Sequence, residues 1–154
     1  MKRIMMIISA VMLLGAVASC EKYEDGKPVK DVRAEFARMY PDAWDVEWEY
    51  KGTIWEVSFE TGTRPNGTDR QAWYDMDGNW VQTVTDVFIV SVPQNIKDYL
   101  KASEFASGQF VDDDADYIEK PDGNFYRFDI RFDGKEIEVD VTEDGKVSRS
   151  VYGF

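Results

Sequence analysis

Any chemistry in this chain falls to carboxylates, arginines and aromatic rings, because histidine is absent and cysteine occurs once, at Cys20. Ser-His-Asp and Cys-His nucleophilic machinery, dithiol redox chemistry and nearly all zinc and haem sites are thereby excluded. Neither the dinucleotide-binding glycine fingerprint nor the Gly-rich P-loop occurs. Acids are abundant, 30 against 18 bases. Two of them suitably spaced could serve as the acid and base of a glycosidase. The runs Asp112-Asp113-Asp114-Ala115-Asp116 and Asp75-Met76-Asp77-Gly78 could offer oxygens to calcium. Neither run has the residue order of an EF-hand loop, and an acidic stretch also guards a sheet edge against aggregation. Carboxylates on strands are ordinarily solvated, and so small a domain offers little depth for a water-excluding cleft. Binding is therefore expected rather than catalysis, with no cofactor and no metal.

The lone cysteine has its own context. Lys2 and Arg3 precede a short apolar run from Ile4 to Val17, followed by the small residues Ala18 and Ser19. The run is shorter than the roughly 20 residues of a confident membrane span and has the layout of a secretory signal. A single cysteine directly after Val17-Ala18-Ser19 resembles the bacterial lipobox, which implies lipidation of Cys20 and membrane attachment through the acyl chains alone. Residues 1–19 then read as signal peptide and 20–27 as lipidated cysteine and charged tether. Acidic residues just after that cysteine are similar to the surface-export signal of Bacteroidetes lipoproteins, although Lys22 and Tyr23 interrupt them. The expected address is the cell envelope, at the outer membrane, facing either the periplasm or the surface. Loss of Lys2 and Arg3 with the signal leaves a net charge of −14. That sign repels phosphate backbones, so nucleic acid is excluded as a partner.

The elements that must position the acidic and aromatic residues follow from periodicity. Val29, Val32, Phe36 and Met39 recur at helical spacing, closed by Tyr40-Pro41. About 64 residues on, Ile96, Tyr99 and Leu100 repeat the pattern behind Pro93. Four β-like runs follow each helix, at 45–50, 53–61, 69–76 and 79–88, then at 109–120, 124–132, 135–142 and 146–153. The turns between them centre on glycine, at Lys51-Gly52, Asp77-Gly78, Asp122-Gly123, Asp133-Gly134 and Asp144-Gly145. The longer loop from Thr61 to Thr68 holds Asn66-Gly67-Thr68, which reads as a turn rather than a glycosylation site. The expected fold is α+β: two tandem α-ββββ repeats, 28–91 and 92–154, forming one antiparallel sheet with both helices on one face.

Period-two alternation then divides the faces. Val46, Trp48 and Tyr50 alternate with Asp45, Glu47 and Glu49; Tyr126, Phe128, Ile130 and Phe132 alternate with Arg127, Asp129 and Arg131. Two-residue turns at Lys51-Gly52 and Asp133-Gly134 would pair Trp48 with Trp55 and Ile130 with Ile137 inside. On the outer face they would set Arg131 opposite Glu136, Arg127 opposite Asp140, Glu47 opposite Glu56, and Asp129 opposite Glu138. Three-residue turns ending in Gly78 and Gly145 would bury Tyr74 against Trp80, pair Val141 with Val147, and turn Trp73 outward. The candidate partner-binding face is thus Glu47, Glu49, Glu56, Trp73, Arg127, Asp129, Arg131 and Tyr152, aromatics and arginines on a charged patch of the kind found at binding hot spots.

The sequence of a helix, Tyr40-Pro41, Val46-Glu47-Trp48-Glu49, Trp55-Glu56-Val57, Ala72-Trp73-Tyr74-Asp75-Met76-Asp77-Gly78-Asn79-Trp80 and a second helix resembles the PepSY-like family, over about residues 28–154. The resemblance implies an exported protein with a β-lactamase-inhibitor-protein-like sheet whose open face is free to bind. The matching residues are structural ones, so the resemblance carries over neither β-lactamase nor peptidase inhibition. The expected function is a lipid-anchored module engaging a protein or peptide. The alternative is an envelope protein binding calcium or a small ligand on the acidic face.

Overall fold

The computed structural model describes residues 21–23 and 26–150. The signal segment, Cys20 and Tyr152 lie outside the described residues. Helices α1 (Lys30–Met39) and α2 (Gln94–Lys101) each precede a set of strands. Strand β1 is Lys22–Tyr23. After α1 come β2 (Trp44–Tyr50), β3 (Ile54–Thr61), β4 (Thr68–Asp75) and β5 (Trp80–Phe88). After α2 come β6 (Gln109–Phe110), β7 (Asp114–Glu119), β8 (Phe125–Phe132), β9 (Lys135–Thr142) and β10 (Val147–Arg149). All ten strands form one sheet in the order β1-β2-β3-β4-β5-β7-β8-β9-β10, with β6 beside β8. Every pairing is antiparallel except β1 with β2. The expected α+β architecture is the observed one.

Two apolar clusters form under the helices. Val32 and Phe36 of α1 pack on Trp48, Val57, Phe59 and Tyr74, with Phe36 edge-on to Trp48 at 5.3 Å and to Phe59 at 5.0 Å between ring centroids. Edge-on geometry suits the ring quadrupoles and adds to the burial energy. Ile96 and Leu100 of α2 pack on Phe128, Ile130, Val139 and Val141. Thr83 and Val87 of β5 show that both clusters lie on one side of the sheet. They point the same way along the strand, yet Thr83 meets Tyr40 at the end of α1 while Val87 joins the α2 cluster.

The antiparallel β5–β7 pair joins the two halves, from Thr83 opposite Glu119 to Phe88 opposite Asp114. The tight turn at Asp133-Gly134, the pairing of Val141 with Val147 and that of Tyr74 with Trp80 are all as expected. Four expectations need correction. Trp48 sits opposite Val57 and Tyr50 opposite Trp55, a two-residue shift from the register expected for the β2–β3 hairpin. A two-residue hairpin loop needs its first central residue at positive φ, and in the type I′ form both. Asp133 (φ 48°) and Gly134 (φ 74°) meet that condition, whereas Lys51 is not among the residues with positive φ. The loop therefore widens, with Lys51 N–H donating to the Ile54 carbonyl at 2.9 Å.

The run 109–120 is broken at 111–113 into β6 and β7, which pair with different stretches of β8. Part of the expected tether, Lys22–Tyr23, is a strand alongside Glu47 and Trp48. Val29 caps α1 and is exposed, so it adds nothing to the core.

Candidate partner-binding face

The face away from the helices holds a groove of about 660 Å³ across β2–β5 and β7–β9. Of the residues expected there, it gathers Glu47, Glu56, Trp73 and Arg127. Glu49 lies beside them in the sheet but outside the lining, and Arg131 is an exposed ion pair with Glu136. Asp129 lines a separate, smaller groove with Val111, Asp112 and Glu136.

The like-charge contacts are relieved locally. Because the β2–β3 register is shifted, Glu56 faces Glu49, and Glu47 faces Ser58; the expected Glu47–Glu56 pairing is thereby corrected. Lys51 neutralises Glu49 at 2.6 Å, and the Trp73 indole N–H donates to Glu56 Oε2 at 3.0 Å. Asp129 does face Glu138, and Arg131 faces Glu136, as expected. Arg127 is 8% exposed and lies opposite Asp140. Its Nε and one terminal nitrogen donate to the two Asp140 oxygens at 2.8 and 3.1 Å, and it reaches Glu138 at 3.6 Å. Its donors are committed to this protein's own carboxylates, so it serves as an internal counter-ion.

The feature that sequence reading missed sits at the junction of the halves. Asp86 of β5 and Asp116 of β7 are direct cross-strand partners, and both line the groove. Asp116 lies between Asp86 on one side and Arg127 on the other. Burial, and then the Asp86 charge, pushes the Asp116 carboxyl up to about 6, with Arg127 opposing. Asp86 is raised as well, by burial and then by Asp114 and Asp69. With Asp45, Glu47, Glu56, Glu60, Asp69 and Glu138, the groove presents eight carboxylates against two arginines, Arg70 and Arg127. Among the described residues no cluster of carboxylates forms a metal-ligand set. The sequence signal for Asp86 and Asp116 was alternation within their own strands. Their meeting depends on the β5–β7 register, which no turn encodes.

An antiparallel sheet covered by helices on one side and open on the other defines a class of α+β protein. Residues 53–149 match the family described as "Putative beta-lactamase-inhibitor-like, PepSY-like", and the chain belongs to that family. Solved structures share the fold. A BLIP-like protein from Bacteroides fragilis is 21% identical, with a TM-score of 0.69 over 84% of this chain and 91% of that one. A DUF2874 family protein from Bacteroides uniformis is 21% identical, with a TM-score of 0.67 over 83% and 94%. A Bacteroides eggerthii protein described as "putative periplasmic" is 22% identical, with a TM-score of 0.64 over 81% and 89%. Comparison with curated proteins yields no match. No helix among the described residues is long and apolar enough to cross a membrane.

Proposed function

We propose that this chain is a lipid-anchored binding module of the cell envelope, taking a cationic segment of a protein or peptide in the open-face groove. The observation that carries the reading is the charge of the groove: eight carboxylates lie around two arginines, one of which is already spent on Asp140 and Glu138. Lysine or arginine side chains entering there would replace like-charge repulsion with attraction, in a concave site where the field is focused. Attachment through Cys20 would hold the module at the membrane, on the lipobox reading of Val17-Ala18-Ser19-Cys20.

Calorimetric titration of the full-length protein in a nonionic detergent with a lysine decapeptide tests the binding. Affinity is expected to fall at least tenfold from 20 to 300 mM salt and to fall similarly in the Asp86→Asn, Asp116→Asn double variant. Salt-independent binding, or unchanged affinity in that variant, would remove the groove from the function. Intact-mass measurement of the membrane-extracted protein tests the anchor, which is sunk if Cys20 carries no acyl mass.

A further inference from the structure

At one end of the acidic groove the surface changes character. Beyond Trp73 and Glu56 lies a second hollow of about 540 Å³, lined also by Lys51, Ile54, Val81 and Gln82. Ile54, Trp73 and Val81 are half-buried members of three neighbouring strands on the open face. Trp73 and Glu56 belong to both hollows. The indole is tethered by its N–H to Glu56 at 3.0 Å, so its ring forms a fixed wall between an apolar slot and an anionic trough. A rigid ring of this kind costs little conformational entropy to bury further.

We infer that the slot is a side-chain subsite, which takes one bulky apolar residue from a cationic polypeptide segment whose basic residues lie over Asp86 and Asp116. The inference rests on the reading of the groove as a cation-binding face, and it adds which residue the partner must place next to its charges. Charge complementarity selects this occupant: Glu56 lines both hollows, so a chain entering the slot from the groove side meets its carboxylate. An acidic or purely aliphatic segment would meet repulsion or lose solvation there. Register sets the spacing. Trp73 pairs with Gln82, four positions along β5 from Asp86, which is about 13 Å of extended chain. A bound segment in extended form therefore places its apolar side chain about four residues from a lysine or arginine.

Two capped heptapeptides test this on the full-length protein in nonionic detergent. One is Gly-Lys-Gly-Lys-Gly-Phe-Gly, and the other has glycine in place of phenylalanine. Calorimetry should show the phenylalanine peptide binding about tenfold tighter, with both peptides losing affinity in salt to the same degree. Trp73→Ala should bring the phenylalanine peptide down to the level of its glycine counterpart. Val81→Thr, which keeps β-branching and strand preference, should do so in part even if the Trp73 variant folds poorly. Equal affinity of the two peptides, both salt-sensitive, would overturn the slot and leave the cationic groove standing. Failure of both peptides to bind at millimolar concentration would overturn the slot and the groove together.

Discussion

Two residues of the open face have consequences that can be measured without a partner. Asp116 titrates near 6 in the folded protein, against an ordinary value of 3.8, because it is buried beside Asp86. A carboxyl whose folded pKa is raised binds more protons folded than unfolded between those values, so stability falls as pH rises through that window and then levels off. The urea midpoint should therefore decline from pH 4.5 to pH 7, and Asp116→Asn should flatten part of the decline. An identical decline in both proteins would show that Asp116 is not strained in its charged form. Arg127 works in the opposite sense. Its removal strands Asp140, Glu138 and Asp116 in a region where they are only partly hydrated. Arg127→Ala is expected to cost about 3 kcal/mol in urea unfolding, and a loss within error of zero would mean the carboxylates are solvated after all. Alternation placed Arg127 and Glu56 on the open face from sequence alone, and the three-residue turn at Gly78 placed Trp73 there. The turn at Asp133-Gly134 also set Arg127 opposite Asp140; the sequence could not show that Glu138 reaches the same guanidinium, because that contact runs diagonally across the strand pair.

The hairpins show which local signals suffice to set a register. Gly78 and Gly145 both close three-residue loops at positive φ, 91° and 92°. Each also lies against a helix: a Cβ on Gly78 would meet the Asp31 and Val32 backbone at 3.4 Å, and one on Gly145 would meet the Tyr99 ring at 3.0 Å. Glycine meets a backbone requirement at both turns, and at Gly145 a packing one as well, since contact at 3.4 Å is ordinary and contact at 3.0 Å is not. Gly145→Ala should destabilise by roughly 1–2 kcal/mol by thermal unfolding. A Tyr99→Ala background should relieve the steric part and leave the conformational part. If the penalty is unchanged in that background, the hairpin does not rest on α2 through this glycine. Where both loop residues favour left-handed backbone, as at Asp133-Gly134, sequence fixes the pairing. Where only one does, as at Lys51-Gly52, the loop can lengthen, and the register moved by two. An even shift keeps every side chain on its face, which explains why the face assignment held while the Glu47–Glu56 pairing did not.

At the scale of the molecule, two apolar clusters are linked by a sheet seam whose open side is acidic. The chain carries a net charge of −12, concentrated in part at that seam. Self-repulsion within a Debye length is screened by salt. Adding salt from 10 to 300 mM should therefore raise the urea midpoint of the free protein while weakening its hold on a lysine peptide. Opposite signs for the two measurements are the signature of an anionic groove. A urea midpoint that falls with salt would mean that the internal ion pairs outweigh the repulsion.

The sequence by itself determined the α+β class, the two core-forming helices, the ends of β2–β5, β8 and β9 to within a residue, and which of their residues face outward. Those properties follow from period, turn chemistry and composition, all of which act over a few residues. Tertiary structure decided where the halves join. It set Asp86 against Asp116, broke the 109–120 run into β6 and β7, and brought Trp73 between an apolar hollow and an acidic one. β5 and β7 are joined through a helix rather than a tight turn, so no local signal sets their register. It is settled by fitting two separately packed cores under one continuous hydrogen-bonded sheet.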